Sequence, residues 1–173
     1  MTPAELAAYG TSMSGVTVNG EILGLPQSGD SLALYYNKDV LDTVGVDYGN
    51  ISNWTFTEFY TAAVTVSMAS ENHWGLCFPY KAAYQFWPWL TGYGGSIFDD
   101  SGNPTINSAS TVSAIQTIQL ALYGQPAGGT GVLPDGSSPA VLKAGCDWGN
   151  MEDMFKDNEV AFIIQGPWAY GGI

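Results

Sequence analysis

The chain has 173 residues, of which 46% are hydrophobic and 13% aromatic, enough to build and fill a sizeable core, so the composition excludes a disordered polypeptide. Sixteen Asp and Glu stand against four Lys and Arg, a formal net charge of -12, which argues against nucleic acid and anionic membrane surfaces, since both need clustered cations. No run of about eighteen apolar residues marks a membrane span, and nothing at the start resembles a signal peptide.

Taken in chain order, Thr2-Pro3-Ala4-Glu5 reads as a helix start, with Thr2 as cap, Pro3 in the first turn and Glu5 completing a capping pair. The first clear strand pair is 21–25 and 31–37, separated by a Pro26-Gln27-Ser28-Gly29-Asp30 linker rich in turn formers. Asn37 can cap a short helix carrying Val40, Leu41 and Val44, stopped by Gly45. Thr55 and Glu58 form a capping box, with Phe56, Phe59, Tyr60, Ala63 and Val66 at helical spacing and an end near Ser70. Gly75-Leu76-Cys77-Phe78 suits a buried strand, and an aromatic segment follows from Tyr80 to Tyr93. The next helix starts near Ser108 or Ser110, is expected to bury Val112, Ile115, Ile118, Gln119 and Leu122, and stops at Gly124. Residues 124–149 read as a long Gly/Pro/Ser-rich loop. Asn150 with Asp153 can cap a last helix with Met151, Met154 and Phe155 inward, leading to a strand over 160–164. Strands alternating with helices indicate an α/β domain.

Several motifs invite chemistry. Gly29-Asp30-Ser31-Leu32 matches the GDSL signature of a family of serine esterases, in which the serine is the nucleophile. A serine nucleophile needs a histidine base held by a carboxylate, and the sole histidine, His73, has Ser70 where that family has its Asp. Zinc is disfavoured, because one histidine and two distant cysteines supply too few ligands. Asp99-Asp100-Ser101-Gly102-Asn103 has oxygen ligands but not EF-hand spacing, and reads as a turn. Cys77 and Cys146 fit no redox or zinc motif; two buried thiols are the default expectation, a disulfide requiring an oxidising compartment. No cofactor is expected. Asn50 and Asn53 each begin an N-glycosylation pattern.

Tyr84, Phe86, Trp87 and Trp89 crowd around Pro88, where any regular element must expose some of them. An aromatic ring offers a flat apolar face on which the C–H face of a sugar can stack while its hydroxyls seek hydrogen bonds. On that logic Tyr84 leans towards a ligand wall, and Trp87 divides evenly between ligand wall and core.

The segments ALYYNKDVLDTVG (33–45), WTFTEF (54–59), GYGGSIFDDSGNPTINS (92–108) and MFKDNEVAFIIQGPWAYGGI (154–173) resemble the family 1 extracellular solute-binding proteins, the maltose-binding-protein-like receptors of ATP-binding cassette (ABC) importers. The resemblance runs in order from about Glu21 to Ile173. It implies an α/β, periplasmic-binding-protein-like class II fold of two lobes, mostly the second lobe and incomplete. Residues 1–25 are then a lobe 1 remnant, 26–31 the first hinge crossing and 32–173 a partial lobe 2. By the same resemblance Asp30 matches an acidic residue that hydrogen-bonds sugar hydroxyls. Tyr84 matches a stacking ring, Trp168 a second stacking platform, and Trp87 a weaker, buttressing position. The implied function is capture of a carbohydrate, preferably a neutral oligosaccharide, and delivery to membrane permease subunits, without catalysis. The implied setting is extracellular or periplasmic, membrane-associated through the transporter or a lipid anchor, with a monomer as the full-length state. Because the resemblance leaves the early lobe 1 portion and whatever follows Ile173 unmatched, these residues alone are expected to leave apolar surface uncovered and to bind sugar weakly or not at all. The rival readings are a GDSL-type esterase and a lectin-like surface module without a transporter.

Overall fold

The computed structural model describes residues 1–125, 133, 134 and 136–173, and divides into two compact units, Met1–Ser31 and Leu32–Ile173. In the first unit, helix α1 (Pro3–Ala7) begins with the expected box: Thr2 Oγ1 accepts the Glu5 N–H, and the Glu5 carboxylate accepts the Thr2 N–H at 2.7 Å. A 3-10 turn over Gly10–Val16 leads to the hairpin of β1 (Thr17–Val18) and β2 (Glu21–Ile22). Its turn is Asn19-Gly20, both with positive φ, the dipeptide that suits a two-residue hairpin. This corrects the expected strand pair. The partner of β2 is β1, which the sequence reading overlooked, and residues 31–37 supply a strand of a different sheet.

The second unit is built around a three-stranded sheet in the order β3 (Ala33–Tyr36), β5 (Val160–Gln165), β4 (Trp74–Cys77). β5 runs antiparallel to β3, with Ala33 opposite Gln165, and parallel to β4. All six residues of β5 are buried, as an unbroken Val-Ala-Phe-Ile-Ile run requires when both faces of a strand are covered. Phe162, Ile163 and Leu76 are fully buried, each stabilising the fold by about 1.5–3 kcal/mol.

Helix α2 (Lys38–Thr43) starts where Asn37 accepts the Val40 N–H, and buries Val40 and Leu41. Helix α3 (Phe56–Ala69) starts from the expected Thr55–Glu58 box; of the five residues at helical spacing it buries Tyr60, Ala63 and Val66, leaving Phe59 half-buried and Phe56 exposed. It lies so close to β4 that a Cβ on Gly75 would strike the Ala63 backbone. Helix α4 (Ala83–Gly92) carries the aromatic segment, and α5 (Ala109–Tyr123) follows, with Ser108 as its cap. Helix α6 (Met151–Lys156) returns the chain to β5.

Three expectations fail in this unit. The face that α5 buries is Thr111, Ala114, Thr117 and Ala121; of the expected face, Ile118 and Leu122 are half-buried against the core, while Val112, Ile115 and Gln119 are exposed. Two stripes share the helical period here, and the small-residue stripe wins because the neighbouring backbone comes close: the Ala121 carbonyl accepts the Val141 and Leu142 N–H groups at 2.8 Å. Asn150 does precede α6, but its side chain does not cap it. The amide instead accepts the Asp147 N–H and donates to the Gly145 carbonyl, folding the approach to the helix. Cys77 and Cys146 are not thiols but a disulfide, with Cα atoms 5.7 Å apart. Of the expected loop over 124–149, residues 126–132 and 135 lie outside the described residues, whereas Gln125 bridges to Ser138. No described helix is long and apolar enough to cross a membrane.

Candidate functional site

The C-terminal end of β5 and the exposed face of α4 bring two aromatic residues together. Beyond β5, Gly166 leads into a single 3-10 turn, Pro167–Ala169, whose Pro has no N–H to satisfy. Ala169 is buried and anchors the turn, which turns Trp168 outward, its side chain half exposed at 50%. The indole folds back over Gly166 so closely that a Cβ there would run into the ring. Glycine is needed at this position for space rather than conformation, since its φ is an ordinary -91°.

Helix α4 presents Tyr84 and Trp87, three residues apart and therefore neighbours on one face, at 48% and 46% exposure. Its opposite face buries Gln85, Trp89 and Leu90, with Trp89 stacked on Phe78 at 5.3 Å. Pro88 lies inside the helix and cannot donate to the Tyr84 carbonyl one turn earlier, so the ladder is interrupted beside the exposed tyrosine. The Gln85 amide nitrogen donates to the Ile164 carbonyl at 3.1 Å, which pins α4 to the end of β5. Among the described residues, the Gln85 oxygen and the Trp89 indole nitrogen are buried without hydrogen-bond partners. The result of that pinning is a contact between the Tyr84 and Trp168 rings, with centroids 6.4 Å apart and planes tilted by 36°.

Of the residues singled out from sequence, the structure therefore joins Tyr84 to Trp168 and sets Trp87 exposed on the same face of α4. Asp30 lies exposed in the last stretch of the first unit. Ser31 belongs to the first unit and His73 to the second, and Ser70, where an esterase would need its aspartate, accepts the Asn72 N–H in a helix-end turn. The Asp99 loop is the expected turn: its carboxylate accepts the Ser101 and Asn103 N–H groups and the Asn103 side-chain amide, and these bonds, that of the amide foremost, hold its pKa below the usual carboxylate range.

The sequence reading missed a cleft of about 380 Å3 between residues 79–82, which lead into α4, and residues 145–148. Tyr80 and Trp148 supply its rings, Lys81 and Asp147 its charges, and the Cys77–Cys146 bond ties the two segments together. A tryptophan in a Gly- and Asp-rich loop was the available signal. It went unused because nothing local shows which segment lies opposite.

The profile of the family described as bacterial extracellular solute-binding protein matches residues 3–172. A maltodextrin-binding protein of Bacillus subtilis is 28% identical over 174 residues, covering 96% of this chain and 38% of the relative. A galactooligosaccharide-binding protein of the same organism is 26% identical, covering 91% of this chain and 34% of the relative. Among solved structures, the maltose-bound T. maritima MalE3 superimposes with a TM-score of 0.69 at 27% identity, over 93% of this chain and 38% of its own. The chain thus spans little more than a third of the length of these proteins. Its fold is α/β and maltose-binding-protein-like, a part of the class II periplasmic-binding-protein architecture.

Proposed function

This chain belongs to the bacterial extracellular solute-binding proteins, which bind solutes and carry out no chemistry on them, and from that premise we propose that its cargo is a carbohydrate, preferably a neutral oligosaccharide. The observation that carries the reading is the half-exposed ring pair of Tyr84 and Trp168. Two tilted rings offer apolar faces to the C–H faces of a sugar while leaving its hydroxyls to polar neighbours. Trp87 extends the wall, and Asp30 accepts hydrogen bonds from sugar hydroxyls. Relatives named for maltodextrin and galactooligosaccharide support the class of cargo. A phosphorylated solute suits the chain less well, since phosphate favours Arg or Lys partners and the chain has only four such side chains.

The mechanism that follows is capture. Residues 1–25 derive from one lobe, 26–31 from a hinge crossing and 32–173 from the other lobe, and a sugar touching both lobes favours the closed state by its differential affinity. The loaded receptor, a monomer at full length, delivers to the permease subunits of an ABC importer outside the cell, held there by the transporter or a lipid anchor. The disulfide is consistent with such an oxidising setting.

A panel of sugars screened by thermal shift on the full-length receptor tests the cargo, because a ligand that binds only the folded state raises its melting point. Neutral oligosaccharides at tens of millimolar are expected to raise the midpoint and glycerol 3-phosphate to leave it unchanged. A flat response to every sugar would rule out carbohydrate. A p-nitrophenyl acetate assay on the chain and on Ser31→Ala separates the esterase reading, which requires the rate to fall in the variant.

A further inference from the structure

The peptide on which the Trp168 indole rests is held from three elements. Gly166 is buried just beyond the last register pair of the sheet, Ala33 opposite Gln165, so its N–H and C=O must find partners outside the ladder. The N–H donates to the side-chain oxygen of Gln165 at 3.0 Å. The carbonyl accepts the Ala169 N–H, closing the turn that carries Trp168, and also the phenol of Tyr35 on β3 at 3.0 Å. Gln165 is buried, and its amide nitrogen donates to the Glu152 carboxylate of α6 at 2.8 Å. With the Gln165 amide nitrogen donating to Glu152, the amide oxygen is left to accept the Gly166 N–H, so Glu152 orients the Gln165 amide.

We propose that Tyr35 and Gln165, the latter oriented by Glu152, are positioning residues that set the pose of the Trp168 platform, acting through Gly166 without touching the sugar. This rests on the reading of Trp168 as a sugar platform. Freezing the carbonyl and N–H of Gly166 freezes the turn and the ring folded over it, so less order has to be imposed when a ligand stacks there. Serving the platform also explains why a glutamine, rather than another apolar residue, ends the buried Val-Ala-Phe-Ile-Ile run of β5.

The test follows the indole N–H cross-peak of Trp168 in nitrogen-15-labelled protein, free in the 173-residue chain and its variants, and titrated with maltotriose in the full-length receptor carrying the same substitutions. Tyr35→Phe, which deletes one oxygen, and Gln165→Leu are expected to shift or broaden the Trp168 signal of the free protein, and to weaken sugar binding roughly three- to tenfold, the worth of one hydrogen bond. Gln165→Glu sets two carboxylates against each other and is expected to disturb the signal equally. Combining it with Glu152→Gln restores a donor facing an acceptor and is expected to return the signal towards wild type, while a melting point of Tyr35→Phe close to that of the parent, alongside its shifted Trp168 signal, separates positioning from a purely structural role. Should Gln165→Leu fail to fold, Tyr35→Phe carries the comparison. Trp168 signals in Tyr35→Phe identical to wild type, or no rescue by the exchanged pair, would overturn the proposal. Absence of any sugar response at Trp168 in the full-length receptor would instead overturn the carbohydrate reading, with the free-protein spectra still deciding the positioning claim.

Discussion

The Tyr84 ring meets the Trp168 indole at 6.4 Å between centroids, one presented by α4 and the other by the turn after β5. Both are half exposed, so neither is a large contributor to the core. Trp168→Ala and Tyr84→Ala are therefore each expected to weaken oligosaccharide binding by at least about tenfold, or about 1.4 kcal/mol. Their melting points should stay close to that of the parent chain. Trp168→Phe should fall in between. Parallel loss of melting temperature and of binding would instead make the pair a packing feature.

Gly166→Ala is expected to act as a displacement of Trp168, because the added methyl meets the indole while the backbone conformation suits alanine. The half-exposed ring can swing away, so the stability cost should sit at the low end of the roughly 1–3 kcal/mol typical of overpacking. Sugar affinity should fall as far as in Trp168→Ala. Unchanged affinity in Gly166→Ala, measured by titration of intrinsic fluorescence, would show that the pose of the indole is irrelevant to binding.

Cys77 and Cys146 close a loop with a sequence separation of 69. On the loop-entropy account such a bond stabilises by roughly 4 kcal/mol. The double variant Cys77→Ala with Cys146→Ala should therefore unfold at clearly lower urea concentration than the oxidised chain. Both sulfurs are buried, so the bond should resist dithiothreitol until denaturant opens the fold. Coincident unfolding midpoints for the oxidised chain and the variant would contradict the prediction.

Glu58 accepts the Thr55 N–H and hydroxyl, and these bonds, the backbone one first, lower its pKa below the usual glutamate range. With the folded pKa below the unfolded one, the stabilisation is present above the unfolded value and is lost as pH falls through the folded value. Carbon-13 titration of the Glu58 carboxyl should give a depressed midpoint, moving part of the way up in Thr55→Val, which keeps the N–H bond but loses the hydroxyl. A midpoint indifferent to that substitution would remove the hydroxyl from the account.

What could be read from residues in order was local. The Thr55–Glu58 box, the Asn37 cap and the apolar run of β5 each declare themselves within a few positions, because caps and strand burial depend on near neighbours. The α5 face was misjudged because Thr111, Ala114, Thr117 and Ala121 share the period of Val112, Ile115 and Gln119, and only the approaching backbone at Val141 selects between them. The cysteine pairing and the cleft at Trp148 depend on segments far apart in the chain. Tyr84 and Trp168 could each be named in advance, yet their contact depends on Gln85 reaching the Ile164 carbonyl, which no spacing rule encodes. The Asn19-Gly20 hairpin was legible and was passed over in favour of the more apolar stretch beside it.

The most direct test of the carbohydrate claim is the indole N–H spectrum of the full-length receptor during a maltotriose titration, with Trp168 assigned by Trp168→Phe. A saturable shift of the Trp168 signal, with that of Trp54 packed against Phe162 staying still, is the predicted result. A Trp168 signal that stays put up to tens of millimolar sugar, or that moves only as every other indole moves, would contradict the account.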